Sequence, residues 1–163
     1  MDTYGFTKIM GGISVTRIRL VYIEWARRHG LSYNVLAVLY TAYNNDGCTQ
    51  KSICREWGLT KQTANNTCMS LKRSGIITQT QGTKDKREMN IHLTEKGLAF
   101  ATPIIRGLLE IESRCISRLG ENAEKLVELY VDYAEKFETE FAKSTTPSAA
   151  PKRDYGKEGK NGT

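Results

Sequence analysis

The side chains best suited to recognition chemistry in this sequence are the amides of Gln62, Asn65 and Asn66, in the segment GLTKQTANNTCMSLKRSGII at residues 58–77. Asn is a weak helix former, so a helix that only faced water would be more stable with Glu or Lys at these positions. Amide side chains can instead form two hydrogen bonds with adenine in the major groove of DNA, and each such pair gives about 1–3 kcal/mol of base discrimination. The three amides therefore indicate a surface that reads base edges.

A helix over residues 61–73 would hold these amides on one face. At about 100° per residue, its inner side consists of Ala64, Thr67, Cys68 and Leu71. Its outer side consists of Gln62, Asn65, Asn66, Met69 and Arg73. At the helix start, backbone N–H groups suit phosphate, together with Thr60, Lys61 and Thr63. Gln62 and Asn66 are the expected base contacts, whereas Asn65 is equally suited to a phosphate.

The charge of the chain is concentrated around this segment. The net charge of the 163 residues is +6, and residues 48–100 hold 9 basic and 4 acidic residues. Residues 101–141 hold 5 basic and 9 acidic residues, so the segment that follows is acidic. A basic excess confined to one segment indicates nucleic-acid binding better than a basic total does, because phosphate contacts need clustered cations.

The elements that position the helix follow from periodicity and turn residues. Further helices are predicted over 13–29, 32–45, 49–57, 94–119 and 122–141, with Ser32 and Thr49 as N-caps, and Thr60 is the predicted N-cap of the helix over 61–73. Strands are predicted over 76–80 and 88–93, on either side of a polar tip. This order is that of a winged helix-turn-helix, whose second motif helix enters the major groove. The predicted fold class is mainly α with a small β-wing and further helices at both ends.

The tip between the two strands carries Lys84, Lys86 and Arg87. Arginine is favoured where the minor groove is narrow, because the negative potential is deepest there. We therefore predict that the tip contacts the minor groove, with Arg87 as its main contact. Asp85 would hold the guanidinium of Arg87 through a charge-assisted hydrogen bond.

Other classes of protein fit this sequence less well. It has no run of about 18 apolar residues that would span a membrane, and no signal-peptide pattern, so we expect a cytoplasmic protein. We expect no cofactor and no metal, because the cysteines and the two histidines lack the spacing of a zinc site. No catalytic triad, phosphate-binding loop or pair of carboxylates predicts an enzyme. Without a secretion signal, the following cysteines are expected to be packing thiols rather than disulfides: Cys48, Cys54, Cys68 and Cys115.

The segment TQKSICREWGLTKQTANNTCMSLKRSGII, followed by DKREMNIHLTEKG, resembles the MarR family of bacterial transcriptional regulators. The matching residues of the helix and its end are Lys61, Gln62, Thr63, Leu71 and Gly75. The matching wing motifs are Asp85-Lys86-Arg87 and Leu93-Thr94-Glu95-Lys96-Gly97. The motifs cover about residues 49–97, and the order of helices extends the resemblance across about 13–141.

The resemblance implies a homodimer that binds a pseudo-palindromic operator, and we expect a repressor. Residues 1–32 and 101–141 would form the helical dimerisation region and residues 33–100 the winged domain. Residues 142–163 are expected to be a disordered basic tail. The family often binds a small effector in a cleft between the dimerisation helices and the winged domain, which releases DNA. The candidate cleft residues here are Tyr22, Trp25, Tyr40 and Tyr43.

The alternative is a winged helix that serves as a protein-interaction module and does not read DNA. Such a module needs neither amides on the outer face of residues 61–73 nor an arginine at the wing tip. It also needs no basic excess. The two hypotheses differ in the salt dependence of duplex DNA binding, which is steep for a protein that contacts phosphates.

Overall fold

The computed structural model describes residues 2–82 and 88–144. Its elements, in chain order, are α1 (Thr3–Thr7), a π-helix (Lys8–Ser14), α2 (Val15–Arg28), α3 (Tyr33–Asn44), β1 (Cys48–Thr49), α4 (Gln50–Trp57), α5 (Lys61–Arg73), β2 (Ile77–Gln81), β3 (Met89–Leu93), α6 (Glu95–Leu119) and α7 (Asn122–Lys143). The chain forms two compact units, Met1–Cys115 and Ile116–Thr163. The predicted fold class, mainly helical with a small antiparallel sheet, is confirmed.

Side-chain caps account for the starts of the central helices. Ser32, Thr49 and Thr60 each accept a hydrogen bond from a backbone N–H in the first turn of the helix that follows, as the sequence predicts. At α4 the cap is reciprocal, because Ser52 also bonds back to the backbone of Thr49. Gly58 ends α4 at φ 63°, a left-handed conformation that suits glycine. The short turn at Gly58 then leads directly into α5.

The sheet has three strands in the order β1-β3-β2, and both pairs are antiparallel. β2 and β3 form the predicted hairpin, with Ile77 opposite Leu93. The sequence pattern does not predict the third strand, β1, which is two residues long and pairs Cys48 with Ile91. Two residues carry no periodicity, so only their contact with β3 identifies them as a strand.

The core of the first unit joins α2, α3, α4, α5 and α6 to the sheet. Leu36 and Leu39 of α3, Ile53 of α4, Ile91 of β3 and Ile105 of α6 have no exposed surface. Burial of each such side chain contributes about 1.5–3 kcal/mol. This core is the support that holds α4 and α5 in place.

The N-terminal helical region begins earlier than the predicted helix at 13–29. α2 covers most of that range, but α1 and the seven-residue π-helix precede it. A π-helix has wider turns than an α-helix, so a period of 3.6 residues does not detect it. After α2, Gly30 is at φ 68°, a left-handed conformation that suits glycine at the end of a helix.

The helix α7 belongs to the second unit, and none of its residues is buried. Its exposed large apolar side chains are Leu126, Val127, Leu129, Tyr130, Val131, Phe137 and Phe141. The helix ends at Lys143, two residues beyond the predicted end of the helix at residue 141. Ala and Lys are good helix formers, which explains the extension through Ala142 and Lys143. The rest of the predicted tail, from residue 145, lies outside the described residues.

None of the described helices combines the length and the apolar character that crossing a bilayer requires. Within residues 2–82 and 88–144, no three His, Cys, Asp or Glu side chains are grouped as metal ligands.

Candidate nucleic-acid interface

The candidate interface is built on α5, whose two faces differ as the sequence predicts. Ala64 and Cys68 are fully buried, and Leu71 is 7% exposed. The inner face therefore anchors the helix in the core. The exposed side chains of the opposite face are Lys61, Gln62, Asn65, Asn66, Met69 and Arg73.

The three amide side chains on this face differ in their hydrogen bonds within the protein. Nε2 of Gln50 donates to Oδ1 of Asn65 at 3.4 Å, and Nδ2 of Asn65 lies 3.6 Å from Sδ of Met69. Among the residues that the structure describes, the side chains of Gln62 and Asn66 form no hydrogen bond. All their donors and acceptors are therefore available to an external partner. Gln62 and Asn66 are the unengaged amides, whereas Asn65 is held within the protein.

The N-terminal end of α5 concentrates donors that suit an anion. Oγ1 of Thr60 accepts from the backbone N of Thr63 at 3.1 Å, and the two hydroxyl oxygens are 2.8 Å apart. Lys61 is exposed and forms no ion pair within the described ranges. The positive end of the helix dipole adds to its charge. At the other end, Nε of Arg73 donates to the carbonyl of Met69 at 3.4 Å, so this side chain follows the helix.

A groove of about 430 Å³ lies beside the first turns of α5, between α4 and the β2–β3 hairpin. The charged residues among its described lining are Lys51, Lys61 and Glu88, so this described part of the lining has a net positive charge. The two lysines form no ion pair in the described part of the chain. Sequence reasoning missed Lys51, because this residue lies on α4 and only tertiary folding brings it to α5. The sequence feature that could have identified Lys51 is its position in the first turn of α4, two residues after the N-cap Thr49.

His92 ties the hairpin to the turn after α3. Its Nδ1 lies 2.8 Å from Oδ1 of Asp46, and its Nε2 lies 2.9 Å from Oγ1 of Thr80. These contacts join β3 both to β2 and to the loop that precedes β1.

The predicted wing-tip residues lie outside the described residues, namely Lys84, Asp85, Lys86 and Arg87.

Two of the predicted cleft residues, Tyr22 and Tyr40, are joined by a carboxylate. Their hydroxyl groups donate to Oε1 and Oε2 of Glu112, at 2.6 and 2.7 Å. Burial, reinforced by these hydrogen bonds, raises the pKa of both phenols well above the usual value. The ring of Trp57 lies 5.3 Å from that of Tyr22 and 5.4 Å from that of Tyr40. The cluster therefore joins α2, α3 and α6 to the last residue of α4.

A cavity of about 350 Å³ adjoins this cluster. Its aromatic lining consists of Tyr22, Tyr33 and Trp57. The guanidinium carbon of Arg19, which also lines the cavity, lies 5.0 Å from the centre of the Tyr33 ring. The cavity therefore combines aromatic faces with one cation, although Glu56 adds an acid to the lining.

The other two predicted cleft residues lie elsewhere. Trp25 lines a separate cavity with Leu20 and Val21, and its Nε1 donates to the carbonyl of Ile104 at 3.2 Å. The hydroxyl of Tyr43 accepts from Nε of Arg106 at 3.3 Å. The structure thus brings Tyr22 and Tyr40 together and places Trp25 at a different cavity.

None of the four cysteines forms a disulfide. Burial raises the pKa of the Cys48 thiol to about 12 and that of Cys68 to about 11. Both thiols therefore stay protonated at neutral pH and pack as small apolar groups. Cys54 is half-buried in the groove beside α5, and Cys115 is exposed.

Comparison with solved structures gives a match over nearly the whole chain. NMB1585, a MarR family regulator from Neisseria meningitidis, is 30% identical, and the match covers 87% of this chain and 98% of that chain with a TM-score of 0.70. The MarR family protein RV2887 from Mycobacterium tuberculosis, solved with p-aminosalicylic acid, is 15% identical over 83% of this chain and 99% of that chain, with a TM-score of 0.54. The second likeness shows the shared fold alone.

Comparison at the level of sequence covers the winged region. A sequence model of the MarR family matches residues 29–88. The HTH-type transcriptional regulator PetP from Rhodobacter capsulatus is 39% identical over 51 residues, which are 31% of this chain and 31% of PetP. The chain therefore matches about a third of the length of this curated relative.

Proposed function

Because this chain belongs to the MarR family of transcriptional regulators, we propose that it binds a pseudo-palindromic operator as a homodimer and represses transcription. The relatives are regulators and not enzymes, and no catalytic role is proposed. Since the role requires access to the chromosome, we also propose a cytoplasmic location.

The observation that carries this proposal is the outer face of α5. Gln62 and Asn66 are exposed and unengaged within the described residues, on a helix whose inner face is fully anchored in the core. A rigid helix with unengaged amides suits direct readout of adenine in the major groove. We assign base contacts to these two residues.

Phosphate contacts would hold α5 in register on the duplex. The residues we assign to phosphate are Thr60, Lys61, Thr63, Arg73 and, from the groove, Lys51. Asn65 has a supporting role, since Gln50 already holds its amide. We assign the minor groove to the wing-tip cations Lys84, Lys86 and Arg87, because arginine is favoured where that groove is narrow. Asp85 would be the partner of Arg87.

The homodimer is supported by apolar surface that a single chain leaves exposed. In α2, Ile18 is 59% exposed and Val21 is 58% exposed, and α7 carries the exposed apolar residues named above. Surfaces of this kind mark interaction sites in soluble proteins. We assign residues 1–32 and 101–141 to dimerisation and residues 33–100 to DNA binding. Two recognition helices related by two-fold symmetry require a pseudo-palindromic operator.

Effector binding is a second candidate function, supported by the cavity of about 350 Å³. Arg19 can pair with a carboxylate, and the rings of Tyr33 and Trp57 can pack against an aromatic group. The cavity therefore suits an aromatic acid, the chemical class of the p-aminosalicylic acid bound to RV2887. A test is to titrate the wild type and Arg19→Ala with p-aminosalicylate and to record the quenching of tryptophan fluorescence. Equal quenching in both proteins would argue against this assignment.

The decisive experiment for DNA reading selects preferred sites from a random duplex pool and then measures affinity across salt concentrations. We expect a two-fold symmetric site and a steep fall in affinity with salt, because each phosphate contact releases counterions. Absence of binding even at low salt would favour the protein-interaction module. A transcription assay on the selected site then separates repression from activation.

A further inference from the structure

The backbone that leaves α5 is held by Thr94, which immediately precedes α6, and by Lys96 in the first turn of α6. The carbonyl oxygens of three consecutive residues, Ser74, Gly75 and Ile76, each accept a hydrogen bond from one of these two residues. Nζ of Lys96 donates to Ser74 at 2.8 Å. Thr94 donates to Gly75 through Oγ1 at 2.6 Å, and to Ile76 through its backbone N at 3.1 Å. We call these five residues the α5–α6 clamp.

Two glycines bring the parts of the clamp into close contact. Gly75 is at φ +69°, which lets its N–H and that of Ile76 bond back to the carbonyls of Lys72 and Leu71, at 3.0 and 2.9 Å. A Cβ added at Gly97 would lie 1.9 Å from the carbonyl oxygen of Ile76, so the helix α6 meets this backbone without an intervening side chain. The direction in which α5 ends is therefore fixed relative to the start of α6.

Lys96 differs from the lysines of the basic groove. Lys51 and Lys61 form no ion pair within the described residues and line the groove. The ammonium of Lys96 instead donates to the C-cap carbonyl of α5, at Ser74. A cation at this end of a helix also offsets the negative end of the helix dipole. Its contact within the protein indicates a role in holding α5.

We propose that Lys96 is a positioning residue: through the α5–α6 clamp it sets the direction of α5 and thereby the separation of the two recognition helices in the homodimer. This inference rests on the proposed function, because the separation matters only if two copies of α5 read one operator. α6 also carries Glu112, the partner of Tyr22 and Tyr40. The same helix therefore links the aromatic cluster beside the cavity to the end of α5.

The DNA-binding test compares Lys96→Met with Lys72→Met in the full-length protein. Lys72 is exposed in the last turn of α5, and its side chain forms no hydrogen bond or ion pair in the described residues, so this control removes the same charge without altering the clamp. We expect Lys96→Met to lower affinity for the selected operator about tenfold relative to the control, the scale of one hydrogen bond to a charged group. The slope of log affinity against log salt should match that of the wild type. Lys96→Arg, which keeps a cationic donor, should restore affinity.

A DNA-free measurement tests the positioning role directly. A spin label carried by an unnatural amino acid at position 70, an exposed site on α5, reports the distance between the two recognition helices by double electron–electron resonance. We expect a broader or shifted distance distribution in Lys96→Met and an unchanged one in Lys72→Met. A wild-type distribution in Lys96→Met overturns the proposal. So does a salt slope lower by about 0.9 in this variant, since that is the loss expected for one phosphate contact.

The two proposals fail in different ways. If the wild type selects no DNA site, the proposed function fails, but the distance measurement still decides whether Lys96 positions α5. If the wild type binds its operator and Lys96→Met changes neither affinity nor distance, only the positioning role is rejected.

Discussion

Gln50 on α4 donates a hydrogen bond to Asn65 on α5, with 3.4 Å between Nε2 and Oδ1, whereas the neighbouring Asn66 has no such partner within the described residues. Two adjacent asparagines on one exposed helix face are therefore not equivalent. The amide of Asn65 links the two helices of the helix-turn-helix, and that of Asn66 is available for a base edge.

The first prediction follows from this difference. Asn66→Ala should reduce the preference for the operator over random duplex by about 1–3 kcal/mol, the value of one bidentate amide–adenine pair. Site selection with the variant should show relaxed preference at one position in each half-site. Asn65→Ala is the matched control, and it should weaken binding more evenly across sequences. A site logo unchanged in Asn66→Ala would contradict the assignment.

The second prediction concerns the basic groove beside α5. Lys51→Ala should lower affinity for all duplex sequences to a similar extent and reduce the salt slope by about 0.9, as expected for the loss of one phosphate contact. Fluorescence anisotropy at several salt concentrations measures both quantities. Lys72→Ala, in α5 but outside the described lining of the groove, removes the same charge as a control. Identical slopes for Lys51→Ala and the wild type would exclude this contact.

The third prediction concerns the wing tip and rests on the sequence. Arg87→Ala should weaken operator binding markedly, because an arginine in a narrow minor groove gains from its deep negative potential. The dimer should remain intact, as sedimentation velocity can verify. Arg87→Lys separates charge from guanidinium geometry and should recover only part of the affinity. Full operator affinity in Arg87→Ala would argue against a wing contact.

The fourth prediction concerns stability at the start of α6. Gly97→Ala should lower the free energy of unfolding by about 1–3 kcal/mol, because the new Cβ must displace backbone in a packed region; the added atom would lie 1.9 Å from the carbonyl oxygen of Ile76. Urea denaturation at fixed protein concentration measures the change. Gly12→Ala is the matched control, because a Cβ there meets nothing within 4 Å. Equal midpoints for both variants would mean that α6 moves aside at little cost.

The fifth prediction concerns the thiols. Burial raises the pKa of Cys48 to about 12 and that of Cys68 to about 11, so the reactive thiolate is scarce at pH 8 in the folded protein. Iodoacetamide at pH 8 should therefore modify Cys48 and Cys68 only in denaturant. Mass spectrometry of proteolytic peptides distinguishes the sites. Rapid modification of Cys68 in the native protein would show that its buried environment opens readily.

Much of the fold follows from interactions that are local in sequence. The caps at Ser32, Thr49 and Thr60 each bind a backbone N–H in the next turn, so the residue type and the apolar run that follows are sufficient evidence. The separation of α5 into buried and exposed faces follows equally from its period of 3.6 residues. The wing motif and the recognition helix also suffice to identify the family, because they carry matching residues at a fixed spacing.

Only the tertiary structure identified the partners of these residues. Periodicity places Asn65 and Asn66 on the same outer face, and it carries no information about Gln50, which reaches Asn65 from another helix. β1 exists as a strand because Cys48 pairs with Ile91. The sequence pattern places Tyr22 in an apolar stripe of its helix. Only the structure shows that its hydroxyl donates a hydrogen bond to Glu112, on a helix far along the chain. The sequence by itself determined the longer helices, the β2–β3 hairpin and the exposed face of α5, because these depend mainly on neighbours within one or two turns. Contacts between distant segments decide three further features: which amide is unengaged, which lysine lines the groove and which lysine holds α5. Only the folded chain shows these contacts.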